Sequence, residues 1–552
     1  MNSRNARFVL TASALTLTTS LLAGCGDGDV SGDEAQATAG ALRVEAVDSI
    51  APVLVLASSD PAELALTASQ AFFSAAPVVV LADASDEGAQ AAAAAVALDL
   101  HAPVLLTGGA IADSGLGKEV ERLGAVSAVV VTPDRSLDVA TGTASTVVTA
   151  LPAASREDLQ KEAEESAEAI DPALDTIPLA ADALVTNPDG GSQIDESDLA
   201  EVRDQLPDTA SPHLLTEVLA LVDAAPGQAA ALATAQAAGV VPLTVSGGDP
   251  RATSASVQAM TKAKALAVVG IGASFGSVDG LTARVRAAET GVELVGGGQL
   301  VAAGKRFVVL PSTTVPSTPA TISDMVEKAA ARAEPYVAVG RASSEGTVTV
   351  PTVELVVTEA SGAAGKDGNY STELAVEAVR PAVQAALDAG QHVLLEIQPG
   401  RASFVDQVER YADLLALPGV GVSLDLDTRR AGGAVKQDGV VPAEELNAVV
   451  SYLSGFVKSK ALPQKMLVVH ASRPGAVTNL GALVADDDQV VVVVHSDVAG
   501  SFAARTKAWD GLTTGAPASL RWGWTDLVGE VTPERAATTE PLVPSPLLVV
   551  VE

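Results

Sequence analysis

Cysteine is nearly absent from this sequence, whose 552 residues contain a single one, Cys25. A disulfide within the chain is therefore excluded, and stability must come from packed cores, which a chain of this length can bury. Aromatic residues make up only 3% of the chain, although 48% is hydrophobic, so Ala, Val and Leu must fill those cores. Beyond the first thirty residues no run is long and apolar enough to span a bilayer.

Basic residues are also scarce, with 34 against 68 acidic residues and a formal net charge of −34. A field of that sign repels nucleic acid and other polyanions over roughly a Debye length, so we exclude nucleic-acid binding. The charge is typical of a protein kept soluble in a salty or wall-bound setting. Binding of cations or cationic polymers is the alternative interpretation.

The N-terminus has the organisation of an export signal. Arg4 and Arg7 precede the mostly apolar stretch 8–22, which is too short and too rich in Thr and Ser for a membrane span. The stretch leads into Leu22-Ala23-Gly24-Cys25, which resembles the lipobox of bacterial lipoproteins. The resemblance implies a diacylglycerol on the Cys25 thiol and cleavage just before this residue. An ordinary signal peptide with a chance cysteine is the alternative.

We therefore predict a lipoprotein signal peptide over 1–24, followed by a lipidated cysteine and a flexible acidic tether over 25–45. The exported protein would be anchored to the outer face of the cell membrane, or within the cell wall, by two or three acyl chains of the palmitate type. Two or more chains are needed because a single acyl chain gives only marginal membrane binding.

From residue 46 short β-branched runs alternate with Ala-rich helical stretches, which predicts parallel sheets covered on both faces. Segment 78–131 resembles the cell-wall-binding repeat 2 of Gram-positive surface proteins, and segment 218–272 looks like a second, more divergent copy. The resemblance implies Rossmann-like repeats and attachment to a wall polymer. The predicted boundaries are 46–150 for the first repeat, 151–213 for an acidic helical insert and 214–300 for the second repeat.

The rest of the chain, 304–552, predicts a (β/α)₈ TIM-like barrel, because eight strand-like runs with helical intervals fit the usual length of that fold. The predicted strands are 306–310, 353–358, 393–397, 421–426, 466–469, 490–494, 519–522 and 547–551.

Polar side chains gather where these strands end. Because residues i and i+2 share a face of a strand, three pairs should each point toward one mouth, and His470 ends a further strand. Active sites of such barrels lie at the carboxyl ends of the strands, so we expect these side chains to share one concave pocket. The pairs are Glu396 with Gln398, Asp425 with Asp427, and His495 with Asp497.

Stretches of this half resemble a family of secreted actinobacterial proteins of uncharacterised function, in which similar repeats precede a barrel. They include LLEIQPGRASF (394–404), SLDLDTRR (423–430), VVVHSD (492–497) and RWGWTD (521–526). Where the family has an Asp-Pro-Glu-Trp run, this chain has Asp427-Thr428-Arg429-Arg430, so one acid is missing.

Paired carboxyl groups near aromatic rings are what glycoside hydrolysis requires. We predict Glu396 and Asp427 as acid and base and Asp425 as a modulator of their pKa values. The predicted ligand-binding residues are Gln398, His470, His495, Asp497, Arg521, Trp522 and Trp524, the two tryptophans as sugar platforms.

Two functions remain open from the sequence. The first is binding of a cell-wall glycan or polymer by a lipid-anchored envelope protein, which the missing acid favours. The second is a glycan-active hydrolase with its active site at the barrel mouth. No cofactor is predicted; a transition-metal site at His470, His495 and Asp497 is a further alternative, because their ligand types suit such an ion.

The lipobox generates the first prediction. Cys25→Ala should release the protein into the medium or leave it unprocessed, because the acyl acceptor is lost. Detergent partitioning of the membrane fraction measures this. A Cys25→Ala protein that still partitions into detergent with the membrane would contradict lipid anchoring.

Overall fold

A computed structural model describes residues 42–132, 156–170, 173–180, 184–186, 192–194, 196–210, 212–223, 225–311, 314–342, 347–430, 439–529 and 542–552. The predicted signal peptide and Cys25 lie outside these residues. Among the helices of the described part, none has the length and apolarity needed to cross a membrane.

The N-terminal half contains two four-stranded parallel sheets. Its elements, in chain order, are β1 (Leu42–Arg43), β2 (Glu45–Ala46), β3 (Val53–Leu56), α1 (Pro61–Phe72), β4 (Phe73–Ala75), β5 (Val78–Asp83), α2 (Glu87–Leu100), β6 (Val104–Thr107), α3 (Asp113–Leu123), β7 (Ser127–Thr132), α4 (Arg156–Glu168), β8 (Asp175–Ala180), β9 (Leu184–Thr186), β10 (Ser192–Ile194), α5 (Glu196–Arg203), β11 (Thr209–Ala210), β12 (Val218–Val222), α6 (Ala229–Ala237), β13 (Val241–Thr244), α7 (Ser254–Ala263), β14 (Ala267–Ile271) and α8 (Val278–Glu289).

The two sheets have matching strand orders, β6-β5-β7-β8 and β13-β12-β14-β3. Strand β3 opens the segment predicted as the first repeat, yet it pairs with β14 of the other sheet. Strand β8 lies in the segment predicted as a helical insert, and it pairs with β7. Each sheet therefore takes one edge strand, β8 or β3, from outside the predicted repeat that supplies its other three strands. The predicted repeat boundaries did not reveal this.

The C-terminal half is a closed barrel of eight parallel strands, as predicted. Its elements are β15 (Lys305–Leu310), α9 (Pro319–Ala342), β16 (Val348–Ala360), β17 (Ser371–Glu373), α10 (Val376–Asp388), β18 (His392–Ile397), α11 (Phe404–Glu409), α12 (Ala412–Leu415), β19 (Val420–Asp425), β20 (Val441–Pro442), α13 (Ala443–Lys460), β21 (Lys465–Ala471), β22 (Val477–Thr478), β23 (Val490–Ser496), α14 (Phe502–Thr513), β24 (Arg521–Asp526) and β25 (Leu548–Val551).

Closure occurs between β15 and β25 on one side and between β15 and β16 on the other. Most barrel strands contribute to two cores, because alternate side chains point to opposite faces. Leu395 and Val469 belong to the core between strands and helices, whereas Leu394 and Val468 belong to the core inside the barrel. This two-sided burial explains the unbroken apolar runs in the sequence.

The segment that joins the halves is packed into the floor of the barrel. Leu294 and Val301 are buried with the interior residues Phe307, Leu394 and Met466. The segment is therefore part of the barrel core, and the barrel needs residues before the predicted boundary at 304.

Charged contacts also tie the halves together. The Arg284 guanidinium donates to the Asp488 carboxylate at 2.7 Å, and the fully buried Arg251 donates to Gln489 Oε1 at 3.2 Å. Arg251 is held in place by Asp249, 2.8 Å away. Because Arg251 is buried, its contacts gain more from the low local dielectric than exposed ion pairs do.

The packed floor generates the second prediction. A fragment 290–552 should unfold like the barrel of the full chain, whereas a fragment 304–552 should be less stable by about 3 kcal/mol or more, because it loses the burial of two aliphatic side chains. Urea unfolding followed by tryptophan fluorescence measures this, since all three tryptophans lie in the barrel. Equal stability of the two fragments would contradict a structural role for the floor segment.

Candidate active site at the barrel mouth

The inside of the barrel changes from apolar to charged along its axis. The lower part is filled by residues such as Phe307, Leu394, Val468 and Leu548. At the carboxyl ends of the strands the inward positions hold acids and histidines instead. Asp425 is paired in register with His470, and His470 with His495, so these three lie at one level on adjacent strands.

A cavity of about 550 Å³ opens at this end. All seven residues that were expected to share one pocket line it. The geometric expectation from the sequence is therefore confirmed. The full lining is Pro311, Glu354, Val356, Glu396, Gln398, Asp425, Asp427, His470, His495, Asp497, Val550 and Glu552.

A chain of hydrogen bonds crosses the barrel beneath the cavity. Glu354, from β16, lies 2.9 Å from His470 Nε2, and the Nδ1 atoms of His470 and His495 are 2.8 Å apart. His495 Nε2 in turn lies 2.9 Å from Thr525 Oγ1. Two facing nitrogens can share only one proton, so one ring must donate and the other accept.

The charges around the rings decide which histidine donates. Burial opposes a charge on His470, but the carboxylates of Glu354, Glu396 and Asp497 outweigh it and raise the pKa of His470 to about 10. Burial and the charge of His470 lower the pKa of His495 to about 3. His470 is therefore an imidazolium that donates to both Glu354 and His495, and neutral His495 donates through Nε2 to Thr525.

The pKa of Glu396 is raised in the cavity. Burial and the charge of Glu354 raise the pKa of Glu396 to about 7, against the opposing effect of His470. Its Oε1 accepts a hydrogen bond of 2.8 Å from the Gln398 amide. Burial also raises the pKa of Asp425. Near neutral pH the Glu396 carboxyl group is thus close to half protonated, as a general acid requires.

Asp427 stands at the rim. Its side chain is 50% exposed, it accepts from the Ser472 hydroxyl at 2.8 Å, and Arg473 lies 3.7 Å away. A second cavity of about 430 Å³ adjoins the first and shares Asp427, Asp497 and Glu552 with it. The mouth is therefore an elongated groove lined by acids.

The structure contradicts the predicted ligand-binding roles of three residues. Trp522 and Trp524 are buried in the core outside the barrel, where both rings pack against Trp509. Arg521 begins β24 and is exposed at the opposite end of the barrel, where it donates to Ser519. The predicted strand ended at Trp522, whereas β24 continues to Asp526, so Gly523 and Thr525 face the lumen and the tryptophans face the helices.

The sequence analysis missed Glu354, Thr525 and Glu552. Glu354 is 3% exposed in the middle of β16, and a lone acid in the apolar run Val353 to Val357 was a detectable signal. Such a residue needs a partner inside the protein, and His470 supplies it. Thr525 had no distinguishing pattern, because its role depends on the extent of β24.

One group in the described residues has the donor types for a metal ion. The ligand atoms of His470, His495 and Asp497 lie within 4.8 Å of one another. The Nδ1 atoms of both histidines face each other across a shared proton, so an ion there would have to displace that proton and separate the rings. The present geometry fits a hydrogen-bonded pair better than a ligand set.

Comparisons with known proteins give little further information. No family model and no curated protein matches the sequence. Among solved structures, Cwp6 from Clostridium difficile is similar at 11% identity with a TM-score of 0.26. The alignment covers 77% of this chain and 63% of that chain, so this chain spans less than two thirds of its length.

The hydrogen-bonded chain generates the third prediction. Glu354→Gln removes the negative charge beside His470, so the pKa of His470 should fall from about 10 by several units, while the pKa of His495 stays low. NMR titration of the imidazole signals measures both values, and the chain has only five histidines. The exposed Glu359 of the same strand offers a control, Glu359→Gln. An unchanged His470 titration in Glu354→Gln would contradict the ion pair.

Proposed function

We propose that the barrel is a glycan-active hydrolase that cleaves glycosidic bonds by general acid and base chemistry. The observation that carries the proposal is the raised pKa of Glu396, about 7, in an open cavity that also contains other carboxyl groups. Two carboxyl groups in different environments are the arrangement that divides acid from base roles. Nine of the twelve lining residues have polar or charged side chains, which suits a hydroxyl-rich substrate.

Glu396 is the proposed acid. A protonated Glu396 would transfer its proton to the oxygen of the leaving sugar, and the Gln398 amide at 2.8 Å holds the carboxyl group toward the cavity. Glu354 and His470 set its protonation, because the Glu354 charge raises the pKa of Glu396 and the His470 charge lowers it.

Asp427 is the proposed base. Its exposed position at the rim leaves room for a water molecule, and Ser472 orients its carboxyl group from 2.8 Å. The two adjoining cavities support a substrate longer than one sugar, because the groove continues past Asp427 to Arg505 and Thr525.

The open state of the mouth favours catalysis over a purely structural barrel. Arginines that would neutralise Glu396 and Asp425 in such a scaffold are engaged elsewhere: Arg429 pairs with Glu445 at 2.8 Å, and Arg401 lies over Tyr370. The arginines nearest the acids lie toward the rim: Arg473 is 3.7 Å from Asp427, and Arg505 lines the adjoining cavity with Asp497 and Glu552.

The second candidate is binding of a wall polymer without turnover. The observation that favours it is the resemblance of 78–131 and 218–272 to wall-binding repeats, whose central strands β5 and β12 occupy equivalent positions in the two parallel sheets. Both candidates fit the predicted lipid anchor on Cys25, which would hold the groove near envelope glycan at the outer face of the cell.

The acid role of Glu396 generates the fourth prediction. Glu396→Gln should lower kcat on purified cell-wall polysaccharide by 10²-fold or more, because general acid catalysis contributes on the order of 10²–10⁴. In the unmodified protein the rate should fall as pH rises above about 7, where Glu396 loses its proton. Release of reducing ends measures both.

The exposed Glu377 on α10 provides a matched control, since Glu377→Gln removes an acid that lines neither cavity. Cosedimentation with wall material, without release of reducing ends at any pH, would contradict hydrolysis and support the binding candidate.

A further inference from the structure

Beside the acidic mouth lies a small basic cluster formed by Arg401, Arg430 and Tyr370. The Arg401 guanidinium carbon is 4.2 Å from the centre of the Tyr370 ring, and that of Arg430 is 5.3 Å from it. Arg401 follows β18 by four residues and Arg430 follows β19 by five. Both loops therefore leave the barrel at its carboxyl end, and they carry Gln398 and Asp427 of the cavity.

The backbone fixes this cluster. Arg401 N donates to Asn369 O at 2.6 Å, and Arg430 N donates to Gly400 O at 2.7 Å. A Cβ at Gly400 would lie 2.5 Å from the carbonyl oxygens of Asn369 and Tyr370, so the three loops meet too closely for another residue. Tyr370 itself has φ of 60°, which is costly for a non-glycine residue and persists only when its surroundings hold it.

The two arginines lack acidic partners in the described part of the chain. The ion pairs there include Arg429 with Glu445 and Arg473 with Asp427, but neither Arg401 nor Arg430. Acids of the neighbouring loop are engaged elsewhere, since Asp367 and Glu373 accept from the Asn369 amide. The Nε atoms of Arg401 and Arg430 are buried without a hydrogen-bond acceptor among the described residues.

A buried donor without an acceptor is destabilising, and more so when it is charged. In a chain with twice as many acids as bases, neutralising both arginines with carboxylates would be simple. Two planar guanidinium groups held at one tyrosine ring instead suit an oxyanion, which a guanidinium group can bind with paired N–H donors.

We infer that Arg401 and Arg430 form an anion subsite, positioned by Tyr370, which takes a phosphate or carboxylate group on the glycan. The inference deepens the proposed function, and it rests on that function only for the identity of the rest of the ligand. The net charge of −34 opposes long polyanions at a distance, whereas a single anionic substituent meets the two cations at contact range.

Binding of inorganic phosphate to the full chain tests the subsite without any turnover. By isothermal titration, Arg401→Ala and Arg430→Ala should each weaken phosphate binding at least tenfold. Arg401→Lys should weaken phosphate binding less than Arg401→Ala does, because the charge is kept. Some loss should remain, because the paired donors of the guanidinium group are absent. Arg380→Ala, at an exposed position on α10, should bind as the unmodified chain does.

Tyr370 separates a binding role from a purely structural one. Tyr370→Phe keeps the ring and should bind phosphate normally, whereas Tyr370→Leu should weaken binding, because the ring no longer orients the guanidinium groups. Phosphate affinity unchanged in both arginine-to-alanine variants, with folding verified by circular dichroism, would overturn the subsite. So would affinity lost equally in Arg380→Ala.

Two further arms identify the ligand and separate the two proposals. Comparing the binding of glucose 6-phosphate, glucuronate and glucose shows which anionic group the subsite prefers. Glu396→Gln should retain phosphate binding, because its side chain is not part of the cluster. If the chain binds phosphate but hydrolyses no wall glycan, the subsite stands and the hydrolase is refuted. If the chain hydrolyses wall glycan, Arg401→Ala leaves the rate unchanged and phosphate does not bind, the hydrolase stands and the subsite is refuted.

Discussion

The ion pair between Glu354 and His470 is the interaction on which the whole mouth depends. It joins strands on opposite sides of the barrel and places one negative and one positive charge within 2.9 Å in a buried layer. Without His470, the Glu354 carboxylate would be buried and unpaired, which is strongly destabilising. With it, burial and the charge of His470 lower the pKa of His495, and burial and the charge of Glu354 raise the pKa of Glu396 against the opposing charge of His470. The buried pair thus contributes to the protonation of two further groups.

The perturbed pKa values at the mouth lower the stability of the fold, and the barrel below the mouth must compensate for this. Burial keeps the pKa of Glu396 near 7, so as pH rises from about 4.5 to 7 the unfolded chain loses a proton that the folded chain retains, and stability falls over that window. His495 acts in the opposite direction, because its folded pKa near 3 means that stability is lost as pH falls below about 6.5. The apolar layer of Phe307, Leu394 and Leu548, together with the floor segment, offsets both penalties.

The sequence was sufficient to predict the barrel and most residues at its mouth, but not the residues that face away from the mouth. The strand ends could be predicted because unbroken apolar runs stop at polar residues. This pattern correctly predicted that Glu396, Asp425 and His470 share one cavity. It failed at Trp522 and Trp524, where a strand end misplaced by four residues turned core aromatics into apparent sugar platforms. It also missed the pairing of β3 with β14, because pairing between distant segments leaves no local periodicity, and it missed β8 in the segment predicted as a helical insert.

The loss of the tryptophans from the mouth changes the kind of recognition that the proposed hydrolase would use. Without ring stacking, a sugar would have to be held by hydrogen bonds and charge, and the groove has acids along its length. Acids alone would bind a neutral sugar without fixing its direction. In the proposed anion subsite, Arg401 and Arg430 would give the groove polarity, because an anionic substituent could dock on one side only. The loops that follow β18 and β19 carry Gln398 and Asp427 as well as these arginines, so orientation of the substrate and placement of the base would depend on one pair of strand ends.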